Sequence, residues 1–242
     1  MTVSYRLTIL GQFRLRDNDR PVCLPPTSRR LLALLATLGP EARTSAACRL
    51  WPDLDAKKGA SNLRTVIWRL KVDAPDILLV ERNELELQNC ECDLPEVREW
   101  ARRTVAGEQP WPLPQHAALE LLPSWDEDWL IEPREELRLL QLHALELSSQ
   151  RFLMSGRTAE ACSSALAAVR LDPLRESSTR LLIEIHLREG NALEALRRFH
   201  RYRDLLRREV GVDPSPAVMA LIGPLAAAGP RASAAVRRLS SR

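Results

Sequence analysis

Apolar residues along this chain fall into short alternating runs first and into helical stripes afterwards. Tyr5 to Leu10 alternates and reads as a strand; Phe13-Arg14-Leu15 and Val22-Cys23-Leu24 read as two more, with turn residues at Asp17-Asn18-Asp19. Pro25-Pro26 ends the last of these, and Thr27 or Ser28 is placed to cap a helix running to about Leu38, where Gly39-Pro40 stops it. Thr44 or Ser45 is placed to cap a second helix reaching Trp51, and Asp53 to Lys58 reads as a polar connection. From Ser61 to Lys71, Leu63, Val66, Ile67 and Leu70 fall at i, i+3, i+4 and i+7, one stripe that seats a helix on a core. Its other side carries Asn62, Arg64, Thr65, Trp68, Arg69 and Lys71, side chains able to bond base edges and phosphates. Ile77 to Val80 and Leu85 to Leu87 then flank Glu81-Arg82-Asn83-Glu84 as a hairpin. Three strands, three helices and a hairpin make a winged helix-turn-helix, whose last helix reads the major groove of DNA.

From about Leu94 the pattern is helix after helix. Glu96 to Ala106 is helical, Gln109 to Pro114 is broken by prolines, and Ala117 to Leu122 reads as a short helix. Trp125 and Trp129 are spaced to share one helical face, with core packing the expected role, and Pro133 opens a long helix from Arg134 to Met154. Gly156 to Ala161 then corresponds to Gly190 to Ala195 at a spacing of 34 residues, the period of tetratricopeptide repeats. Gly211 to Pro216 ends the second copy, and Ala217 to Leu225 caps the array. The expected fold class is therefore mainly α with small β: a winged-helix domain at 1–92, an all-α repeat domain at 93–228, and a disordered basic tail at 229–242.

Charge sharpens this division. Residues 1–90 carry a net +4, residues 91–230 a net −5 and residues 231–242 a net +4; a basic first module beside an acidic body is the asymmetry expected if only the first of the two meets a polyanion. The N-terminus lacks a signal peptide and no apolar run reaches the length of a membrane span, which predicts a cytoplasmic protein with no membrane partner. The five cysteines, at 23, 48, 90, 92 and 162, are odd in number and scattered, which argues against a disulfide framework. Cys90-x-Cys92 has no further Cys or His nearby, so a strand end packed on the core is expected there and no metal.

No enzyme is expected. Asp126, Glu127, Asp128 and Glu132 have no neighbouring His or Cys, and acids near a helix start are favoured by its dipole. The four histidines meet no Ser, Cys or Asp at a motif spacing, and no phosphate-binding loop is present. Catalytic residues and cofactors are accordingly expected to be none.

Leu50-Trp51-Pro52-Asp53, Ser61-Asn62-Leu63-Arg64 and Trp68-Arg69-Leu70-Lys71 resemble the OmpR-type winged-helix domain of the Streptomyces antibiotic regulatory protein family. Trp125 to Arg134, Leu171 to Glu176, Glu189 to Ala195 and Glu209 to Pro216 resemble the bacterial transcriptional activation domain that follows it there, in the family's order. The resemblance implies a transcriptional activator of a secondary-metabolite (antibiotic) gene cluster. Such a protein binds direct repeats near the −35 promoter element of double-stranded DNA, as a homodimer on DNA, and helps recruit RNA polymerase holoenzyme. The Ala- and Arg-rich, Lys-poor composition suits the high-GC genomes in which the family occurs.

By position, the resemblance makes Arg69 the base-reading arginine, and Arg64 joins it on charge and direction. It gives Asn62, Thr65, Trp68 and Lys71 to the DNA backbone and Trp51 to a phosphate. Trp68 either meets the sugar–phosphate edge or is covered by a neighbouring element in the free protein. The wing departs from the family pattern: Glu81 and Glu84 at its tip repel phosphates, which argues against minor-groove insertion and leaves Arg82 for the backbone. The alternatives are a helical-repeat scaffold for proteins and a repressor of the same fold.

Overall fold

The computed structural model describes residues 5–108 and 112–227. The tail expected at 229–242 and the start of the proline-rich stretch lie outside them. The chain divides into two compact units. One holds the described residues up to Trp100 together with Leu119–Leu139; the other holds Ala101–Ala118 and the described residues from Leu140 onward.

In the first unit β1 (Tyr5–Thr8), β2 (Arg14–Asp17) and β3 (Arg20–Pro21) form an antiparallel run. Asn18 and Asp19 make its two-residue turn at φ 43° and 67°, the left-handed geometry that favours these residue types. Helices α1 (Pro26–Leu38), α2 (Arg43–Leu50) and α3 (Ala56–Asp73) follow, with β4 (Glu41–Ala42) between the first two. Then come β5 (Leu78–Glu81), β6 (Glu84–Leu87) and β7 (Cys90–Cys92). The wing is the three-stranded sheet β4-β6-β5, and β7 closes the other sheet by pairing parallel to β1, giving β3-β2-β1-β7. Cys90 and Cys92 pack on the core from this strand.

Several local expectations are corrected. Neither Thr27 nor Ser28 caps α1; Pro26 opens it, with its fixed φ suited to a first helical position. Neither Thr44 nor Ser45 caps α2, which starts at the end of β4. The stretch Asp53 to Lys58 is not all connection: the Asp55 carboxylate accepts the Lys58 N–H at 2.9 Å, so α3 begins at Ala56. Ala117 to Leu122 is not a helix; Leu121 bridges Leu10, while Gly11 N–H donates to the Glu120 carbonyl at 2.7 Å. Trp125 precedes the helix that contains Trp129, so the two share no helical face, although both pack on the first unit's core.

That core joins the three winged-helix helices to residues far along the chain. Leu31, Leu34, Leu50, Leu63, Leu70 and Leu85 share one cluster with Leu121, Leu122, Trp129, Leu130 and Leu137. Trp125 stacks on Phe13 with centroids 5.8 Å apart. The Arg134 guanidinium donates to the carbonyls of Leu121, Leu122 and Trp125 at 2.8–3.1 Å, holding this return segment in place.

Helices α4 (Asp93–Val105) and α5 (Asp128–Met154) each run from one unit into the other. The Asp93 carboxylate, at the start of α4, accepts the N–H groups of Ile9 and Leu10, both at 3.0 Å. In the second unit α6 (Thr158–Leu171), α7 (Glu176–Arg188), α8 (Ala192–Glu209) and α9 (Pro216–Ala227) form the repeat. Gly156 and Gly190 sit at φ 74° and 73°, and the next residue's N–H reaches back five positions, Arg157 to Phe152 and Asn191 to His186, both at 2.8 Å. The two copies thus end one helix and start the next by the same glycine-dependent closure. Ala161 and Ala165 let α6 pack against Leu181, Leu182 and Ile185 of α7; Ile183 meets Phe199 of α8 and Val218 of α9.

Candidate nucleic-acid interface

Helix α3 buries Gly59, Leu63, Val66, Ile67 and Leu70 and exposes the rest of its middle turns. Gly59 faces Ala47 of α2, and a Cβ built there would lie 3.7 Å from the Ala47 Cβ, so the two helices cross closely through small residues. Asn62, Arg64, Thr65, Trp68, Arg69 and Lys71 are all exposed, on one continuous surface. From Ala56 to Val72 the helix carries Lys57, Lys58, Arg64, Arg69 and Lys71 and no acid. Among the described residues no hydrogen bond or ion pair engages the side chains of Arg64, Arg69 or Lys71. Thr65 donates its hydroxyl proton to the Ser61 carbonyl at 3.2 Å.

Trp68 is 66 % exposed, so among the described residues no neighbouring element covers it. Trp51, by contrast, is half-buried against the core at the end of α2, and its indole N–H has no acceptor among the described residues. Arg82 is exposed at the wing tip at φ 48°, and Glu81 stands directly across the sheet from Glu84. The tip does not extend freely. The Asn83 carbonyl accepts the Arg43 N–H at 2.8 Å, which pins the turn against the start of α2.

That contact brings in two residues which sequence reading missed as a site. Arg43 and exposed Thr44 form the first turn of α2, whose N–H groups have no side-chain cap. With the Arg43 N–H taken by Asn83, the N–H groups that follow it and the Arg43 cation are suited to a phosphate. Both residues line a cleft of about 220 Å³ between α2 and α3, together with Cys48, Trp51, Arg64 and Asn83. The Arg43 Nε is buried there without a hydrogen-bond partner. The signal available in the sequence was a cation, Arg43, at a helix start; the missing cap and the nearness of Asn83 could come only from the fold.

Among the described residues no group of His, Cys, Asp and Glu is placed to hold a metal ion, and no helix is long and apolar enough to cross a membrane.

Residues 98–225 match the family described as "Bacterial transcriptional activator domain". The chain is 30% identical over 237 residues to Regulatory protein AfsR of Streptomyces coelicolor, covering 90% of this chain and 24% of that protein. It is 31% identical over 238 residues to Regulatory protein AfsR of Streptomyces griseus, covering 88% and 24%. The chain thus spans about a quarter of the length of these curated relatives. The solved structure of Mycobacterium tuberculosis EmbR in complex with low affinity phosphopeptide superposes with a TM-score of 0.56 at 20% identity, over 98% of this chain and 71% of that one, a likeness of fold. The chain is that of a transcription regulator, built from a winged helix-turn-helix and an all-α helical repeat. It belongs to the Streptomyces antibiotic regulatory protein family, with the bacterial transcriptional activator domain as its second part.

Proposed function

We propose that this chain is a sequence-specific DNA-binding activator that docks α3 in the major groove of promoter direct repeats. The observation that carries this reading is the outer face of α3, with five cations and no acid from Ala56 to Val72, on the third helix of a winged helix-turn-helix. Arg69 and Arg64 are the base-reading residues, with a guanidinium bidentate to guanine the strongest contact of this kind. Asn62, Thr65, Lys71 and Arg82 hold the backbone. Trp51, with Arg43 and Thr44 at the α2 start, holds a phosphate. One helix per half-site binds weakly, so two copies sit side by side on the repeats. The helical repeat then offers protein surface to RNA polymerase holoenzyme. The regulated genes are a secondary-metabolite cluster, and the protein acts in the cytoplasm with its promoter.

Salt dependence of binding tests the reading. A protomer neutralising about four phosphates should lose on the order of a hundredfold in affinity between roughly 50 and 200 mM salt. A protein-binding scaffold of the same fold has no reason to show a duplex affinity with that slope, and its absence would overturn the proposal.

A further inference from the structure

The exposed face of α3 carries two large apolar residues in its last two turns. Trp68 is 66 % exposed and Val72 61 %, one turn apart on one face. At about 100° per residue, both point nearly opposite the buried stripe of Leu63, Val66, Ile67 and Leu70. Ser61 and Thr65 occupy the same outward line in the turns before, so the apolar ridge is confined to the last two turns, with Arg64 and Lys71 on one side of it and Arg69 on the other.

This layout suits a major groove, with Lys71 toward a phosphate wall, Arg64 and Arg69 toward base edges beside the ridge, and the ridge toward the floor. The groove is about 12 Å wide, with phosphates along both walls, and the one apolar group on its floor is the thymine C5-methyl. An apolar protein surface would satisfy the ridge but would need carboxylates on both sides of it to match the flanks. We infer that Trp68 and Val72 form an apolar ridge that reads thymine methyl groups in the major groove. This rests on the DNA-binding reading above and moves Trp68 from the backbone to the base edges. Arginine on the flanks then reads guanine, and the ridge selects thymine beside it.

The test uses the full chain and a duplex enriched by it from a random-sequence pool. Each thymine is replaced in turn by deoxyuridine, which removes only the methyl group. At one or two positions wild-type affinity should fall about fourfold, the equivalent of one buried methylene. The Trp68→Ala/Val72→Ala double variant should bind the thymine and uracil duplexes equally at those positions. Both side chains are exposed, so the variant should keep its fold, checked by far-UV circular dichroism. If the parent duplex binds tightly and uracil is tolerated everywhere, or if the penalty persists in the double variant, the ridge does not read methyl groups and the DNA-binding reading stands. If no sequence is enriched at all, the DNA-binding reading fails and takes the ridge with it. Self-association that is lost in the double variant would then mark the ridge as a contact between copies.

Discussion

Arg30 of α1 and Glu127 are ion-paired across almost one hundred residues of sequence, with Nη2 to Oε2 at 2.8 Å and the carboxylate side chain only 14 % exposed. The same guanidinium donates to the Leu50 carbonyl at the end of α2 at 2.7 Å, and the Trp129 indole N–H donates to the same carboxylate at 2.9 Å. Removing the carboxylate leaves a poorly solvated guanidinium and an orphaned indole. Glu127→Ala should therefore cost about 2–3 kcal/mol, less than the roughly 3–5 kcal/mol for breaking a fully buried pair, because Arg30 keeps part of its side chain in water. Urea unfolding followed by tryptophan fluorescence measures it. An unchanged midpoint would show that the pair is incidental.

The return segment has a larger consequence. Leu121, Leu122, Trp129, Leu130 and Leu137 belong to the winged-helix core. A fragment ending at residue 92 loses all five, as well as the Asp93 carboxylate on Ile9 and Leu10. Each large buried side chain removed costs about 2–5 kcal/mol, and a domain of this size has only about 5–15 kcal/mol in hand. The 1–92 fragment should be unfolded or molten at 25 °C, while the full chain unfolds cooperatively. Dispersed amide resonances from the fragment would contradict this.

How far the sequence disclosed these features depends on the distance over which each is decided. The α3 stripe and its cationic face were legible because a helix writes both at fixed spacing. The first turn of α3 was not, since Ala56-Lys57-Lys58-Gly59-Ala60 has no large apolar residue and Gly59 is buried only by meeting Ala47. The 34-residue repeat was legible because each copy ends in a glycine that the closure requires. Strands β4 and β7 are two and three residues long and owe their existence to partners distant in sequence, which no local pattern records. Leu121-Leu122 read as helix because a short apolar run fits either period. Arg43 escaped notice as a site residue because its importance comes from the fold, through Asn83 and the cleft.

Arg69 and Lys71 should separate when each is mutated. Arg69→Ala is expected to cost about 1–3 kcal/mol on the preferred duplex and to relax discrimination at one base pair. Lys71→Ala should weaken every duplex alike and lower the salt slope by about one. Affinities across a set of single-base variants distinguish the two patterns. Uniform weakening by Arg69→Ala would move that residue to the backbone.

The cysteines offer a footprint of the α2–α3 cleft. Burial pushes the Cys90 thiol up to about 11 and the Cys92 thiol up to about 12, while Cys23 and Cys48 are exposed. Because the thiolate is the reactive form, a maleimide at pH 8 should label Cys23 and Cys48 and spare Cys90 and Cys92 until the chain unfolds. Cys48 lines the cleft with Arg43 and Arg64, so bound duplex should slow its labelling and leave Cys23 unaffected. Peptide mapping by mass spectrometry reads both sites. Equal protection of the two would point to a general effect of DNA rather than contact at the cleft.

In the second unit, stability should depend on acid through Glu146. Burial raises the pKa of this carboxyl, but hydrogen bonds from Arg175, Ser177 and Ser178, with the Arg175 charge, outweigh it and hold it below the usual range. Arg175 forks onto both carboxylate oxygens at 2.9 and 3.0 Å, and the two serine hydroxyls lie at 2.6 Å. A folded pKa below the unfolded value, about 4.3, means that the unfolded chain binds the extra proton first. The contribution is complete above the unfolded pKa and is lost as pH falls through the folded one. Glu146→Gln removes the charge at every pH. It should therefore be much less stable than wild type at pH 6, and the gap should narrow steadily below about pH 4. Urea midpoints by far-UV circular dichroism at several pH values test this; a gap that stays constant into acid would show that the stabilisation does not come from the ionised carboxylate.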